Sequence, residues 1–485
     1  MTDAFNFNFD TTYTDLPEQF FVRQRPEHVQ NPMIVNINYE LAQEIGLNLT
    51  STTQKKLSNL FSGNELPYGS TPLSQAYAGH QFGYFTMLGD GRAHLLGEHI
   101  TPNGIRFDIQ LKGSGRTPYS RSGDGRAALG PMIREYLISE AMHHLGIPTT
   151  RSLAIITTGQ EVRRETLLPG SILTRIASSH IRVGTFEFAA TQKDEGLLKI
   201  LLDYTIKRHC PEVFDYPNKA VGLIENMMQK QSDLIAHWMR IGFIHGVMNT
   251  DNMTLSGETI DYGPCAFMDN YDPNTFFSSI DRGGRYSYMN QPLIAQWNLA
   301  RLIEALLPLI DNNVDNAVKV GENLIDKFSD IYKQKWLSMM RSKLGLYGDQ
   351  PENQILIKGL LDWMHNNDAD FTNTFRNLSD VKKPTAKIYK ISSFQTWYVQ
   401  WKKRLQKNNK SWDTSVAMMK NSNPIIIPRN HQVERVINSA TEGDLGCFSD
   451  FLEVLKQPYK MDSKSEPYQV PPEPRERVYQ TFCGT

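Results

Sequence analysis

The segment His245-Gly246-Val247-Met248-Asn249-Thr250-Asp251-Asn252, with Asp261-Tyr262-Gly263 close behind it, constrains this chain more than any other stretch. It follows directly on a helical pattern. Over residues 220–241 the apolar side chains of Ile224, Met227, Met228, Ile235 and Trp238 share one face, and Gly242 is placed to end the helix. A buried helix that runs straight into a polar loop gives that loop a rigid base. Beyond the loop, residues 253–255 and 259–261 are short β-prone runs around the turn Ser256-Gly257-Glu258. A hairpin is expected there, folding Asn252 and Asp261 back to one end. An amide oxygen and a carboxylate so placed are hard oxygen donors of the kind a divalent cation accepts. Taken alone, the same two residues would serve equally well as turn-forming hydrogen-bond groups.

The order of these groups matches the catalytic loop of protein kinases, where His-Arg-Asp is followed after four residues by Asn and later by Asp-Phe-Gly. Asn252 keeps its spacing from His245, and Asp261 heads the second triplet. Where a kinase carries its base, this chain has Val247, whose isopropyl group accepts no proton. A metal–nucleotide complex is expected, whereas the ordinary route to phosphorylating a hydroxyl lacks its base.

Upstream the texture changes. Gly79-His80-Gln81-Phe82-Gly83 opens a series of short alternating runs over 84–88, 93–98 and 106–111, separated by turns at Gly89-Asp90-Gly91 and Pro102-Asn103-Gly104. This predicts a small antiparallel sheet. Lys112 ends the third run, and a helical pattern over 131–145 carries Glu135. A strand lysine answered by a helix glutamate is how kinases hold an ammonium against nucleotide phosphates. Glu140 on the same helix is a rival that periodicity does not separate from Glu135. His143 and His144 fall in the last turn, where histidine suits the carbonyl end. Further helical patterns over 293–310 and 314–344 make the later part of the chain mainly helical. The predicted architecture is α+β: a protein-kinase-like two-lobed fold. It has a small antiparallel sheet lobe with an N-terminal extension over 1–190, a larger mainly helical lobe over 191–462, and a polar, proline-bearing tail over 463–485, expected to be mobile.

The 485 residues carry 51 Lys and Arg against 52 Asp and Glu, with both signs interspersed, so no basic footprint points to nucleic acid. No uninterrupted apolar run reaches membrane length, and residues 1–12 hold acids but neither arginine nor an apolar core. A cytoplasmic location without a membrane partner is expected. Cys210, Cys265, Cys447 and Cys483 are scattered without zinc-site or disulfide-framework spacing.

Longer stretches carry a family resemblance. They are Tyr77-Ala78-Gly79-His80-Gln81-Phe82-Gly83, Leu88-Gly89-Asp90-Gly91-Arg92, Gln110-Leu111-Lys112-Gly113-Ser114-Gly115-Arg116-Thr117-Pro118-Tyr119-Ser120-Arg121, Gly123-Asp124-Gly125-Arg126-Ala127, and His245 to Met253 with Asp261-Tyr262-Gly263-Pro264. Together they resemble the selenoprotein O family, kinase-like proteins that act as protein adenylyltransferases. The resemblance implies ATP held inverted relative to a kinase: the α-phosphorus faces an acceptor hydroxyl, AMP is transferred and pyrophosphate leaves. The buried end of the pocket would then receive the β- and γ-phosphates and would need cations. Arg175 and Arg182 match the family's phosphate-contacting arginines, and guanidinium forks suit phosphate oxygens. Read without the resemblance, they would be two arginines on a surface loop. By the same resemblance Gly89, Gly91, Arg92, Lys112, Asp124, Gly125 and Asp261 contact the nucleotide. Asn252 and Asp261 hold Mg²⁺ or Mn²⁺, and Asp251 is the proton acceptor. Some relatives also transfer UMP from UTP. Some carry selenocysteine where Cys483 stands, and family members can join that region by a disulfide to the one holding Cys265.

The expected function is protein adenylylation, with AMP passing from ATP to Ser, Thr or Tyr hydroxyls of other proteins and of the chain itself. Val247 keeps two alternatives open: a kinase in which Asp251 replaces the missing base, and a catalytically silent nucleotide-binding scaffold. The metal ligands count against the scaffold, and the paired arginines count against the kinase.

Overall fold

The computed structural model describes residues 5–380 and 386–482. Their strands, in chain order, are β1 (Phe21–Arg23), β2 (Met33–Ile37), β3 (Leu73–Gln75), β4 (Ala78–Gln81), β5 (Tyr84–Met87), β6 (Ala93–Ile100), β7 (Arg106–Lys112), β8 (Ala127–Ala128), β9 (Arg151–Arg163), β10 (Leu167–Ala177), β11 (Phe243–Ile244) and β12 (Ala266–Phe267). Eight of them form one antiparallel sheet in the order β1-β3-β6-β7-β10-β9-β2, with β8 joined to β10. The chain is thus α+β, with an antiparallel sheet and many helices. The longest hairpin of the sheet, β9–β10, gave no alternating signal because much of it is buried on both faces. A strand covered on both sides reads as a continuous apolar run.

Two sequence expectations are corrected. The run at 84–88 does not join the sheet; β5 pairs only with β4, as a separate two-stranded ribbon. Its turn places Phe82 and Gly83 at φ 52° and 89°, the left-handed pair that a two-residue hairpin demands. The hairpin expected over 253–261 does not form either, although the turn does. Each of its runs is captured by a different segment: Thr254 pairs with Arg182, and Thr259 pairs with Thr149. Backbone bonds from Leu255 to Ile181 and from Thr259 to Pro148 fix the two captures. The ladder that frames the loop is instead β11 on β12, with Phe243 opposite Phe267.

The helix Lys219–Ile241 begins on Asn218, whose side chain accepts the Val221 amide, and ends at Gly242 with φ 72°. All five residues of its predicted apolar face are buried. Helices Gln291–Ile310 and Val314–Lys343 pack against it. The stretch Tyr288–Ile310 is long and apolar enough to cross a membrane by length and composition, and half of its apolar part is buried inside the fold. On the sheet, the Leu129–His144 helix covers β9 and β10, and the Asn430–Thr441 helix packs on that helix through Arg134, which donates to Asn430 at 3.0 Å. In the tail, Thr481 bridges to Ser278 and its hydroxyl donates to the Pro264 carbonyl at 2.6 Å. Cys483 lies outside the described residues.

Several buried histidines make the fold acid-sensitive. Burial lowers His94 and His237 to about 4 and, with Arg208 and Lys230 nearby, His209 to about 3. Each folded value lies below the unfolded one, so the unfolded chain binds the proton more tightly. Stability from these groups is complete above the unfolded pKa and falls as pH drops below it. Burial raises Asp251, which opposes part of this loss. The share of one residue is therefore best read by difference: replacing His209 by Asn should remove about 2 kcal/mol of the stability lost between pH 6.5 and 5. Denaturant titrations of both proteins at the two pH values check this, and parallel losses would refute it.

Candidate active site

A cleft of about 920 Å³ opens between the sheet and the loop that follows Gly242, and all twelve nucleotide, metal, base and positioning residues singled out in the sequence line it. At its buried end the side chains converge on Asp261. The ammonium of Lys112, at the end of β7, lies 2.7 Å from Glu135 and 2.6 Å from Asp261. Arg175, on β10 rather than on a surface loop, contacts the same two carboxylates at 2.6 and 2.5 Å. Arg182 precedes the Val183–Thr191 helix and lies 3.7 Å from Asp261, with its guanidinium over the Tyr77 ring at 4.3 Å. Both arginines are 2% exposed.

The electrostatics follow from this packing. Burial alone would raise the Asp261 carboxyl, but Arg175, Lys112 and Arg182 hold it well below the usual carboxylate range. Glu135 is likewise lowered against its burial by Arg175 and Lys112. Glu140 points elsewhere: Arg151 holds it at 2.7 Å, and it accepts the Ser152 amide at 3.1 Å. Of the two rivals on this helix, only Glu135 meets Lys112.

The loop itself is held from behind. His245 is fully buried, stacks on Trp238 and contacts the Ile260 carbonyl at 2.8 Å. Asn252 donates its amide hydrogen to the Val247 carbonyl at 2.9 Å, which leaves its oxygen as the remaining polar end. Asp251 is 8% exposed, and burial pushes its carboxyl up to about 6 although Arg182 pulls the other way. Its Oδ1 has no hydrogen-bond partner among the described residues. Gly79 on β4 backs this carboxylate so closely that a Cβ there would sit 2.5 Å from Oδ1.

At the mouth of the cleft, Arg164 holds Asp124 at 2.8 Å and Asp124 also accepts the Arg126 amide, which together lower its carboxyl against burial. Arg92 is half-buried nearby. The space over Gly89 is filled by the Tyr119 ring, which a Cβ would meet at 2.3 Å, so this glycine serves chain-against-chain packing. Cys265 is buried just beyond the loop.

Sequence reasoning missed Asp90 and Tyr77, which orient Arg182. Asp90 is buried, lies 3.4 Å from Arg182 and accepts from Gln110 at 3.2 Å. A buried acid between two glycines in Gly89-Asp90-Gly91 was the available signal. Also missed was Glu187, which binds both His80 and the Thr250 hydroxyl and so ties β4 to the loop.

The donor set fits a hard divalent cation. Among the described residues there is no cluster of three or more His, Cys, Asp or Glu side chains. The Asp261 carboxylate and the Asn252 amide oxygen instead resemble a sparse site that leaves room for phosphate oxygens and water, as Mg²⁺ prefers. At the buried end the cations Lys112, Arg175 and Arg182 face the carboxylates of Asp90, Glu135, Asp251 and Asp261. Three positive charges against four negative ones do not by themselves neutralise a triphosphate.

A family model described as "Protein adenylyltransferase SelO" matches residues 3–456. The chain belongs to the SelO family. As a member it is an enzyme, a protein nucleotidyltransferase. The chain is similar to "Protein nucleotidyltransferase YdiU" of Nitrosococcus oceani, 56% identical over 480 residues, covering 99% of this chain and 97% of that one. The proteins of the same name from Halalkalibacterium halodurans and Alcanivorax borkumensis are each 54% identical over 486 residues. They cover all of this chain and 99% and 100% of their own lengths. Identity spread over whole chains places the SelO-family relationship on the entire fold, including the helices beyond residue 310 where the sequence motifs are sparse.

Proposed function

We propose that the chain transfers AMP from ATP to Ser, Thr or Tyr hydroxyls of proteins, itself included, with release of pyrophosphate. The observation that carries this reading is the gathering of Lys112, Arg175 and Arg182 around Asp261 at the buried end of the cleft that Asp251 and Val247 also line. A kinase already meets phosphates with such a lysine; the two further buried cations, Arg175 and Arg182, are what suit β- and γ-phosphates drawn deeper into the cleft. Phosphates held there turn the α-phosphorus toward the loop. The sheet-bearing part and the helical part are read as the lobes of a kinase-like arrangement, with boundaries near residues 190 and 462.

In this reading Lys112, fixed by Glu135, and the forks of Arg175 and Arg182 bind the β- and γ-phosphate oxygens and take up the charge that develops on pyrophosphate as it leaves. Asn252 and Asp261 would hold Mg²⁺ or Mn²⁺, which when bound supplies the charge that the side chains lack. The acceptor oxygen forms a bond to the α-phosphorus while the α–β bridging bond breaks and its electron pair leaves with pyrophosphate. Asp251, which lines the cleft, takes the hydroxyl proton on its carboxylate. Gly89, Gly91, Arg92, Asp124 and Gly125 line the outer cleft, where the nucleoside would lie. The same pocket is read as accepting UTP for UMP transfer.

Intact mass spectrometry of the protein with casein, ATP and Mg²⁺ or Mn²⁺ tests the reading. An AMP-sized addition is expected, and Asp251→Asn should slow it at least about a hundredfold while changing ATP affinity little. A phosphate-sized addition would make the chain a kinase despite Val247, and no addition under any of these conditions would favour the scaffold.

A further inference from the structure

The β4–β5 ribbon is bonded to the catalytic loop along one edge only. On the β4 side, the His80 amide donates to the Thr250 hydroxyl at 2.7 Å and the Phe82 amide donates to Asn249 Oδ1 at 3.2 Å. Gly79 lies against Asp251. On the β5 side, the register sets Gly79 opposite Thr86 and Gln81 opposite Tyr84, and the Leu88 amide donates to the Tyr77 carbonyl at 3.0 Å. Hydrogen-bonded pairs alternate along an antiparallel ladder. Tyr84, Thr86 and Leu88 therefore face β4, while Phe85 and Met87 turn their amide and carbonyl groups outward. Among the described residues nothing pairs with that outer edge.

The side chains on this strand are apolar and exposed: Tyr84 is 79%, Phe85 46% and Met87 49% accessible. A bare apolar edge is a liability that proteins ordinarily cover or charge. At the ribbon's tip, Arg285 lies beside Gly83 with its guanidinium over the Trp297 ring at 4.9 Å, and no carboxylate pairs with it among the described residues. Phe82 and Leu88, at the two ends of the ribbon, both line the cleft.

We infer that the outer edge of β5 docks the protein substrate, taking an extended segment with apolar side chains and an acidic residue near Arg285 as a third strand. This rests on the reading that the acceptors are proteins, which membership of the family already supports. Strand addition uses main-chain hydrogen bonds for affinity and alternate side chains for preference, so it suits an enzyme that accepts many sequences. The added strand would run about two strand spacings, roughly 10 Å, from β4. The acceptor hydroxyl must therefore come from residues that leave the edge toward the cleft, not from those paired with Phe85 and Met87. A rigid ribbon bonded to Thr250 and Asn249 would hold that exit in register with Asp251.

Hydrogen–deuterium exchange on the full chain, with unfolded casein as the probe, gives the direct test. Exchange of the Phe85 and Met87 amides should be fast in the free protein and should slow at least about tenfold at saturating casein, as an amide does when it gains one good hydrogen bond. Unchanged exchange would overturn the proposal. Slowing that appears without casein and grows with protein concentration would assign the edge to a second copy of the chain and overturn it equally. Met87→Pro removes one outward amide at an edge position that tolerates proline. It should raise the KM for casein about tenfold at constant kcat while leaving transfer to N-acetyltyrosinamide unchanged. An equal loss on both acceptors would mean that the ribbon serves only the loop. Protected amides without AMP transfer to either acceptor would keep the docking edge and sink the reading of the reaction instead.

Discussion

Asp261→Asn should lower AMP transfer at least about a thousandfold while leaving ATP binding in EDTA intact or tighter. The two effects part company because of what Asp261 touches. Without nucleotide its carboxylate is the shared partner of Lys112 at 2.6 Å and Arg175 at 2.5 Å, with Arg182 at 3.7 Å. The same three cations are those assigned to the β- and γ-phosphates. Removing the carboxylate frees them for the triphosphate and at the same time removes the only carboxylate assigned to the metal. Metal-free affinity should therefore hold or rise, whereas the increase in affinity that Mg²⁺ or Mn²⁺ gives the wild type should vanish. Calorimetric titration of ATP with and without metal, alongside intact-mass assays, reads both. Transfer within about tenfold of wild type would place the metal elsewhere, because loss of a group that stabilises the transition state costs more than that.

The site was legible in the sequence where chemistry and spacing coincide. The helix up to Gly242 stands as its periodicity predicts, because a buried apolar stripe and a left-handed glycine leave little choice. Lys112 at a strand end and Glu135 on the following helix were likewise readable. The sheet was legible only in part. β7 alternates in sequence, with Phe107, Ile109 and Leu111 set between polar residues although most of the strand is buried, whereas β9 and β10 carry apolar runs that look like any buried segment. That is also why Arg175 read as a loop residue, although it sits on a strand and is almost fully buried. The false hairpin at 253–261 shows a different limit. Its two runs have the local propensity for strand, yet each finds its partner in a distant segment, at Arg182 and at Thr149. Propensity records the preference for extended backbone and not the identity of the neighbour. Tyr77 under Arg182, and Glu187 between His80 and Thr250, depend on long-range contacts that no local pattern encodes.

The pair Glu135 and Glu140, inseparable by periodicity, yields the second large effect. Both are buried carboxylates of one helix, and each serves a cation on a neighbouring strand: Glu135 holds Arg175 and Lys112, and Glu140 holds Arg151. Glu135→Gln would leave Lys112 and Arg175 with Asp261 as their one remaining carboxylate. Breaking a buried pair on one side costs about 3 to 5 kcal/mol, and the two cations would also lose the group that aims them. Transfer should fall at least about a hundredfold, because misplaced charge stabilisation raises the barrier as well as weakening binding. Glu140→Gln should cost comparable stability, since Arg151 loses its buried countercharge and the donors of Arg151 and Asn38 lose one of the two acceptor oxygens. Its folded fraction should nevertheless keep wild-type kcat and KM. Denaturation curves and steady-state kinetics of the two variants, normalised to folded protein, separate the cases. If both variants lose transfer alike, the Lys112–Glu135 contact is structural only, and the orientation of the triphosphate must rest on Arg175 and Arg182 without it.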